Sequence, residues 1–283
     1  MSEIHASGYS PTIKKRALSR KLVAARKEAG LTTTEVCRRL RWSATKLNYI
    51  EKAKWITPNS DAVTDLCDLY GIEGDERQAL KRLAQGARER GWWTRYNDVF
   101  RSEFPGFEAA ASSIRTYQTI YLPGLLQTAA YMKALPPVVG IEDPAEIKRH
   151  VDARLKRQQL LTRPEAPCRL HAVIDENVIA RMVDPRIREP QLRHLVEMTA
   201  LPHVTVQLVP TGAGLYQGAG EAFTHLGFSD PGERDIVFLE TAVDARMLEE
   251  KDELRTYMLR FGRLCAVALD PQATRDRLIE VIE

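Results

Sequence analysis

The sequence predicts an α+β protein of two domains, with an all-helical N-terminal part and a mixed C-terminal part. Its 283 residues suit two domains of ordinary size. Apolar residues recur at helical spacing up to about residue 90, and beyond it helical segments alternate with short runs typical of strands. We therefore expect a basic arm at 1–15, a five-helix domain at 16–90 and an α+β domain at 91–283 with an antiparallel sheet.

Basic residues are concentrated near the N-terminus. The chain has a formal net charge of +3, yet residues 1–95 carry 19 Lys and Arg against 11 Asp and Glu. Between Lys14 and Lys54 the ratio rises to 13 basic against 3 acidic residues. A dense basic block joined to a mildly acidic remainder is typical of a nucleic-acid-binding module.

Five helices are predicted in the N-terminal domain from helical periodicity and end signals. Thr32 and Glu35 have the spacing of a capping box, and Ser43 is a suitable N-cap. Thr57 followed by Pro58 suggests a further helix start. The predicted helices, in chain order, cover 15–29, 33–40, 44–52, 58–70 and 75–90.

The second and third of these helices form a predicted helix-turn-helix, in which the second helix of the pair enters the major groove of DNA. Because Leu47 and Ile50 face inward, the opposite side of that helix is predicted to read bases. The predicted base-reading residues are Ala44, Thr45, Lys46, Asn48 and Tyr49. The predicted phosphate contacts are Thr33, Arg39, Ser43, Lys52 and Lys54, with Lys14 and Lys15 from the arm.

The helix-turn-helix segment resembles that of a known family. LTTTEVCRRLRWSATKLNYIEKAK is similar to the corresponding segment of the xenobiotic-response-element (XRE) regulators, which are phage-repressor-like. The later motifs RERGWWTRY, ASSIRTYQTIYLPGLLQTAAY, ARLKRQQLLTRP, VIDENVI and VTVQLVPTGAG resemble an actinobacterial group of regulators, the WhiJ-like proteins. The resemblance runs from about Pro11 to Ile282. It implies a partner as well, a small protein encoded by a neighbouring gene.

The sequence departs from that family at two turns and on the third helix. Arg41 and Ala53 stand where the family commonly has Gly, so a positive φ at these positions would be strained. Asn48 and Tyr49 replace residues that are often Ser and Arg. The operator sequence therefore cannot be transferred from relatives.

The C-terminal domain combines predicted strands at 113–120, 169–174, 204–209, 223–228 and 236–239 with helices at 123–135, 144–161 and 191–201 and a helical end. Arg154, Arg157 and Gln158 match the family's R-x-x-R-Q pattern. They are candidates for binding a partner or ligand, and they could equally hold acidic residues within the domain.

No catalytic or metal motif stands out. The sequence lacks HExxH, GxSxG and a Cys–His motif, and its four cysteines lack zinc-ligand spacing. Asp175 and Glu176 suit either a helix cap or a site. The glycine-rich stretch 212–220 suits either a mobile loop or a loop over a ligand pocket. We therefore expect a protein that is not an enzyme and has no cofactor.

Together these features predict a sequence-specific DNA-binding transcriptional regulator. A homodimer on a pseudo-palindromic operator of double-stranded DNA is expected, modulated through the C-terminal domain by a small partner protein or a ligand. The sequence shows neither a secretory leader nor an apolar run long enough for a membrane span, so a cytoplasmic location is expected. The alternatives are an antitoxin-like interaction module with autoregulatory DNA binding, and a DNA-targeted enzyme.

Overall fold

The computed structural model of the protein describes residues 10–55, 57–100, 102–241 and 244–282. They form two compact units, which meet in the chain between Arg95 and Tyr96. The sequence-based boundary lies five residues earlier, at residue 91. No helix in the described ranges is long and apolar enough to cross a membrane.

The N-terminal unit is a bundle of five helices. In chain order they are α1 (Pro11–Glu28), α2 (Thr33–Leu40), α3 (Ala44–Glu51), α4 (Ser60–Tyr70) and α5 (Gly74–Ala87), followed by a short 3-10 helix, Trp92–Tyr96. Their apolar faces meet in one core that includes Leu18, Leu22, Val36, Leu47 and Leu66, each at most 1% exposed. The apolar residues whose spacing predicted the helices are therefore the residues that are buried.

The chain begins this bundle earlier than the sequence analysis predicted. Ser10 caps α1 by accepting a hydrogen bond from the Ile13 amide, so residues 11–15 are helical and the predicted arm is wrong over that range. Residues 1–9 of the arm lie outside the described residues. The fourth helix also starts elsewhere, since Asn59 accepts from the Asp61 amide at 2.8 Å and displaces the predicted start at Thr57-Pro58.

The C-terminal unit contains seven helices and six strands in the part of the chain described. The helices are α6 (Phe104–Glu108), α7 (Ala129–Val138), α8 (Pro144–Thr162), α9 (Asn177–Ala180), α10 (Pro185–Met198), α11 (Lys251–Val267) and α12 (Pro271–Ile282). The strands are β1 (Ser113–Gln118), β2 (Arg169–Asp175), β3 (Val204–Val209), β4 (Phe223–Gly227), β5 (Ile236–Glu240) and β6 (Ala245–Leu248).

The strands form one mixed sheet in the order β3-β2-β1-β4-β5-β6. β1, β2 and β3 are parallel, whereas β4, β5 and β6 pair antiparallel. The prediction of an antiparallel sheet is therefore wrong for its first half. Helices α7 and α8 lie in the connection from β1 to β2, and α9 and α10 in the next, which gives the chain the long crossovers that parallel pairing requires.

Helix α11 covers one face of the sheet. Phe261 and Leu264 of α11 pack with Tyr117, Val173 and Phe223 in a buried cluster. Helix α12 packs on α10 and β3, and the Thr274 hydroxyl accepts a hydrogen bond from the Leu208 amide at 3.0 Å. The sheet is thus the frame on which the side chains of the C-terminal unit are arranged.

Candidate nucleic-acid interface

Local hydrogen bonds fix the start of α2. The Thr32 hydroxyl accepts from the Glu35 amide at 3.2 Å, and the Glu35 carboxylate accepts from the Thr32 amide at 2.8 Å. This is the predicted capping box. These hydrogen bonds hold the pKa of Glu35 below its ordinary value. Thr33, the first helical residue, is left exposed.

Two residues with left-handed backbone conformation bound the third helix. Arg41 closes α2 with φ 54° and ψ 39°, and Ala53 follows α3 with φ 53°. Both stand where the resembled family commonly has Gly, so the expected strain is present at each turn, about 1 kcal/mol per residue. Between them, Ser43 caps α3 by accepting from the Lys46 amide at 3.1 Å. The turn keeps its geometry without glycine.

Burial orients α3 about its axis. Leu47 is 1% exposed and Ile50 is 3% exposed, because both side chains enter the core of the bundle. The other side of the helix faces solvent, where the large side chain of Tyr49 is 51% exposed. All five predicted base-reading residues are exposed: Ala44, Thr45, Lys46, Asn48 and Tyr49.

A half-buried ion pair ties the end of α3 to α1. Arg26 donates from Nε to Glu51 Oε1 at 2.6 Å and from Nη2 to Oε2 at 3.2 Å. Its Nη1 donates to the Leu31 carbonyl at 2.8 Å, which fastens the loop before α2. One guanidinium therefore positions both helices of the pair. No local sequence pattern predicts this ion pair, because its partners are 25 residues apart.

Trp42, in the turn, supports one of the predicted base readers. Its ring packs partly against the core, and the Lys46 ammonium lies 3.6 Å from the ring centroid. A cation at this distance over an indole face is attracted by the ring quadrupole. The Lys46 side chain is thereby held over the turn. No sequence motif points to this role of Trp42.

The predicted phosphate contacts divide into two groups. Thr33, Arg39, Ser43, Lys52 and Lys54 are exposed in and around α2 and α3, as are two basic residues not predicted, Arg38 and Arg41. Lys14 belongs elsewhere, since its stem packs on Gly86 of α5 and its ammonium lies 3.5 Å from Glu89. Lys15 lies with it in α1. The two lysines are therefore parts of a packed helix and not of a free arm.

Comparison with known families agrees with the division of the chain into two units between Arg95 and Tyr96. Residues 17–80 match the family described as a helix-turn-helix domain, and residues 101–280 match the family described as a domain of unknown function, DUF5753. The second match covers well over half of the chain. The chain belongs to the DUF5753 family. No curated protein and no solved structure matches it. The helix-turn-helix match indicates DNA binding and regulation of transcription.

In this DUF5753 protein the predicted partner-binding residues are largely used inside the C-terminal unit. Arg157 donates to both oxygens of the buried Glu108, at 2.6 and 2.8 Å. Gln158 donates to the carbonyls of Gly124 and Gln127, at 3.2 and 2.6 Å. Of the two alternatives for Arg157 and Gln158, these contacts favour the role within the domain, since freeing either side chain would leave buried polar groups unpaired. Arg154 Nη1 lies 3.4 Å from His150 Nδ1.

The adjacent carboxylates of this DUF5753 protein also hold the fold together. Asp175 accepts from the Asn177 amide at 2.9 Å, as a helix cap does, and from the Tyr216 hydroxyl at 2.6 Å. Glu176 accepts from Arg277 at 2.6 Å and from the Thr211 amide at 2.9 Å. The bonds to Thr211 and Tyr216 fasten the start and the middle of the glycine-rich stretch to the end of β2. The described residues contain no group of three or more potential metal ligands.

Proposed function

We propose that this DUF5753 protein is a sequence-specific transcriptional regulator of the XRE type that reads DNA with α3. The exposed face of α3 carries the proposal, because it presents Thr45, Lys46, Asn48 and Tyr49 together. These side chains offer hydroxyl, ammonium, amide and phenol groups that suit base edges in the major groove. The exposed basic residues beside them, Arg39, Lys52 and Lys54, suit the flanking phosphates.

We further propose that the protein acts as a cytoplasmic homodimer on a pseudo-palindromic operator. One helix-turn-helix covers a short stretch of DNA, and two copies would meet half-sites about 34 Å apart. The C-terminal unit would receive the signal, from a small neighbour-encoded protein as in the resembled WhiJ-like group or from a ligand. On this proposal the protein regulates and does not catalyse.

The test is binding of genome fragments by the purified full-length chain at about 0.15 M salt. The expected result is a two-fold-symmetric motif among the enriched sequences. Binding that is sensitive to salt but selects no motif would contradict sequence-specific recognition by the protein alone. A small protein that purifies with the chain would identify the partner.

Four variants test the assignment of α3. Lys46→Ala and Tyr49→Ala should change which bases are preferred, at a cost of about 1–3 kcal/mol at the affected position. Lys52→Ala should weaken all sites alike and lower the salt slope by about 1. The matched control is Arg82→Ala, which removes an exposed charge from α5, a helix that packs on α1 and α4. Uniform losses in Lys46→Ala, Tyr49→Ala and Lys52→Ala would show that α3 does not read bases.

A further inference from the structure

The ring of Trp42 has a fixed place in the turn between α2 and α3. The Trp42 amide donates to the Cys37 carbonyl at 2.9 Å, which closes the end of α2. The side chain is half-buried and packs against the core of the bundle. The next residue, Ser43, caps α3. Trp42 therefore presents its ring beside the N-terminal end of α3.

Lys46 is restrained at its backbone and at its side chain. Its amide donates to the Ser43 hydroxyl at 3.1 Å, and its ammonium lies 3.6 Å from the centroid of the Trp42 ring. Within the described part of the chain no carboxylate pairs with this ammonium. Among aromatic rings, that of tryptophan attracts a cation most strongly. The contact with Trp42 is therefore what holds the end of the Lys46 side chain.

This restraint matters more for Lys46 than for the other exposed polar residues of α3. Thr45, Asn48 and Tyr49 have short or rigid side chains, whereas lysine is long and flexible and has one of the largest side-chain entropies. A group that is ordered before binding loses less entropy when it binds. The Trp42 ring thus lowers the entropic cost of a contact between Lys46 and DNA.

The chemistry of an ammonium favours one base. An ammonium only donates hydrogen bonds. Guanine is the one base that presents a pair of acceptors, O6 and N7, in the major groove. In a helix-turn-helix the N-terminal residues of the second helix contact the base edges, and Lys46 lies in the first turn of α3. A Lys46 ammonium held at this end of the helix therefore suits guanine.

We propose that Trp42 is a positioning residue, which holds Lys46 so that its ammonium reads a guanine of the operator. On this proposal Lys46 contacts the base and Trp42 acts through Lys46. The inference rests on the proposed DNA binding and deepens it, because it names a recognised base and the residue that prepares its reader.

The first test needs no DNA. A methylene group above an aromatic ring resonates upfield of its ordinary position, so NMR of isotope-labelled lysine in the full-length protein detects the contact. The ε-methylene signal of Lys46, assigned by its absence in Lys46→Met, should lie upfield of that of Lys52, an exposed lysine at the other end of α3. Trp42→Leu should move it to the Lys52 position. A Lys46 signal at the ordinary position in the wild type would overturn the proposal, whether or not the variant folds.

The second test measures affinity for the selected operator and for copies in which each guanine is replaced in turn, at fixed salt. Lys46→Met should lose the preference for one guanine. Trp42→Leu should reduce that preference about two- to fivefold, the effect of a cation–π contact at an exposed site. Trp42→Tyr, which keeps an aromatic face, should retain most of it. The salt dependence should be the same in Trp42→Leu as in the wild type, because the charge of Lys46 remains.

A double-mutant cycle separates positioning from packing. In the Lys46→Met background, Trp42→Leu should cause no further change in base preference. The matched control is Leu69→Ala, which removes a partly buried apolar side chain of α4 from the same core. It should lower stability and leave the preference for guanine as in the wild type.

The outcomes distinguish this proposal from the proposed function. An unchanged preference in a folded Trp42→Leu, an equal effect of Trp42→Leu with and without Lys46, or a similar loss of preference in Leu69→Ala would overturn the positioning role alone. An upfield Lys46 signal in a protein that selects no operator motif would instead refute sequence-specific DNA binding, and guanine reading with it.

Discussion

Glu51→Gln tests whether the ion pair between α1 and α3 holds the DNA-reading helix in place. The substitution keeps the shape of the side chain and removes its charge, so Arg26 keeps only its bond to the Leu31 carbonyl at full strength. The two side chains are 12% and 15% exposed, which shields the pair from most of the solvent. A fully buried pair broken on one side costs about 3–5 kcal/mol, and an exposed one at most about 1 kcal/mol. We expect a loss of about 2–3 kcal/mol from the free energy of unfolding.

Tryptophan fluorescence can measure this loss of stability in the N-terminal unit. All four tryptophans, Trp42, Trp55, Trp92 and Trp93, lie before the boundary at Arg95, so urea unfolding followed by tryptophan emission reports on the N-terminal unit alone. The same variant should weaken binding to every operator, since the whole helix loosens.

The matched control is Asp68→Asn, which breaks the pair between Arg77 and Asp68. That pair is also short, at 2.5 Å, but Asp68 is 59% exposed. Its loss should cost less than about 1 kcal/mol. If Glu51→Gln and Asp68→Asn lowered the free energy of unfolding equally, the argument from burial would be refuted.

Three further outcomes follow from the same contacts. Ala53→Gly should raise the free energy of unfolding of the N-terminal unit by about 0.5–1 kcal/mol, because glycine adopts the left-handed conformation at residue 53 without strain. The control is Ala24→Gly in the exposed middle of α1, which should lower the free energy of unfolding by about 1 kcal/mol. Urea unfolding of the two variants compares these effects. The pKa of Glu35 is lower in the folded state, so its contribution is complete above about pH 4.5 and is lost as the pH falls through the folded pKa. The acid-induced loss of stability should therefore be smaller in Glu35→Gln, and an unchanged pH profile by tryptophan emission would contradict the capping role. Glu108→Gln should destabilise the C-terminal unit by about 3–5 kcal/mol, because Arg157 is left buried and charged. The control is Asp152→Asn in the exposed pair with Lys148, which should hardly change the free energy of unfolding. Calorimetric unfolding distinguishes the two variants.

The N-terminal unit was largely predictable because its signals are local. The capping box of Thr32 and Glu35, the cap at Ser43 and the inward positions of Leu47 and Ile50 each depend on residues within a few positions of one another. The same proximity explains where prediction failed. At the fourth helix two local signals competed, and the side-chain bond of Asn59 prevailed over the Thr57-Pro58 start.

The sheet and the polar contacts of the C-terminal unit depended on topology. Nothing within β1 specifies that it pairs parallel with β2, 56 positions further along, because the direction of pairing is set by the helices between them. β6 was missed, since its four residues are too short to show alternation. The R-x-x-R-Q pattern was visible, but only the fold showed that Arg157 meets Glu108, 49 residues away.

By itself, the sequence determined the class of protein, the helix-turn-helix and the face of α3 that meets solvent, since helical periodicity and end caps are properties of neighbouring residues. Only the tertiary structure decided that Lys14 packs on α5, that Arg26 holds α3, and that Arg115 of β1 lies opposite His171 of β2 and His225 of β4. A charge acquires a role from the groups that surround it in space, and for these residues those groups come from distant parts of the chain.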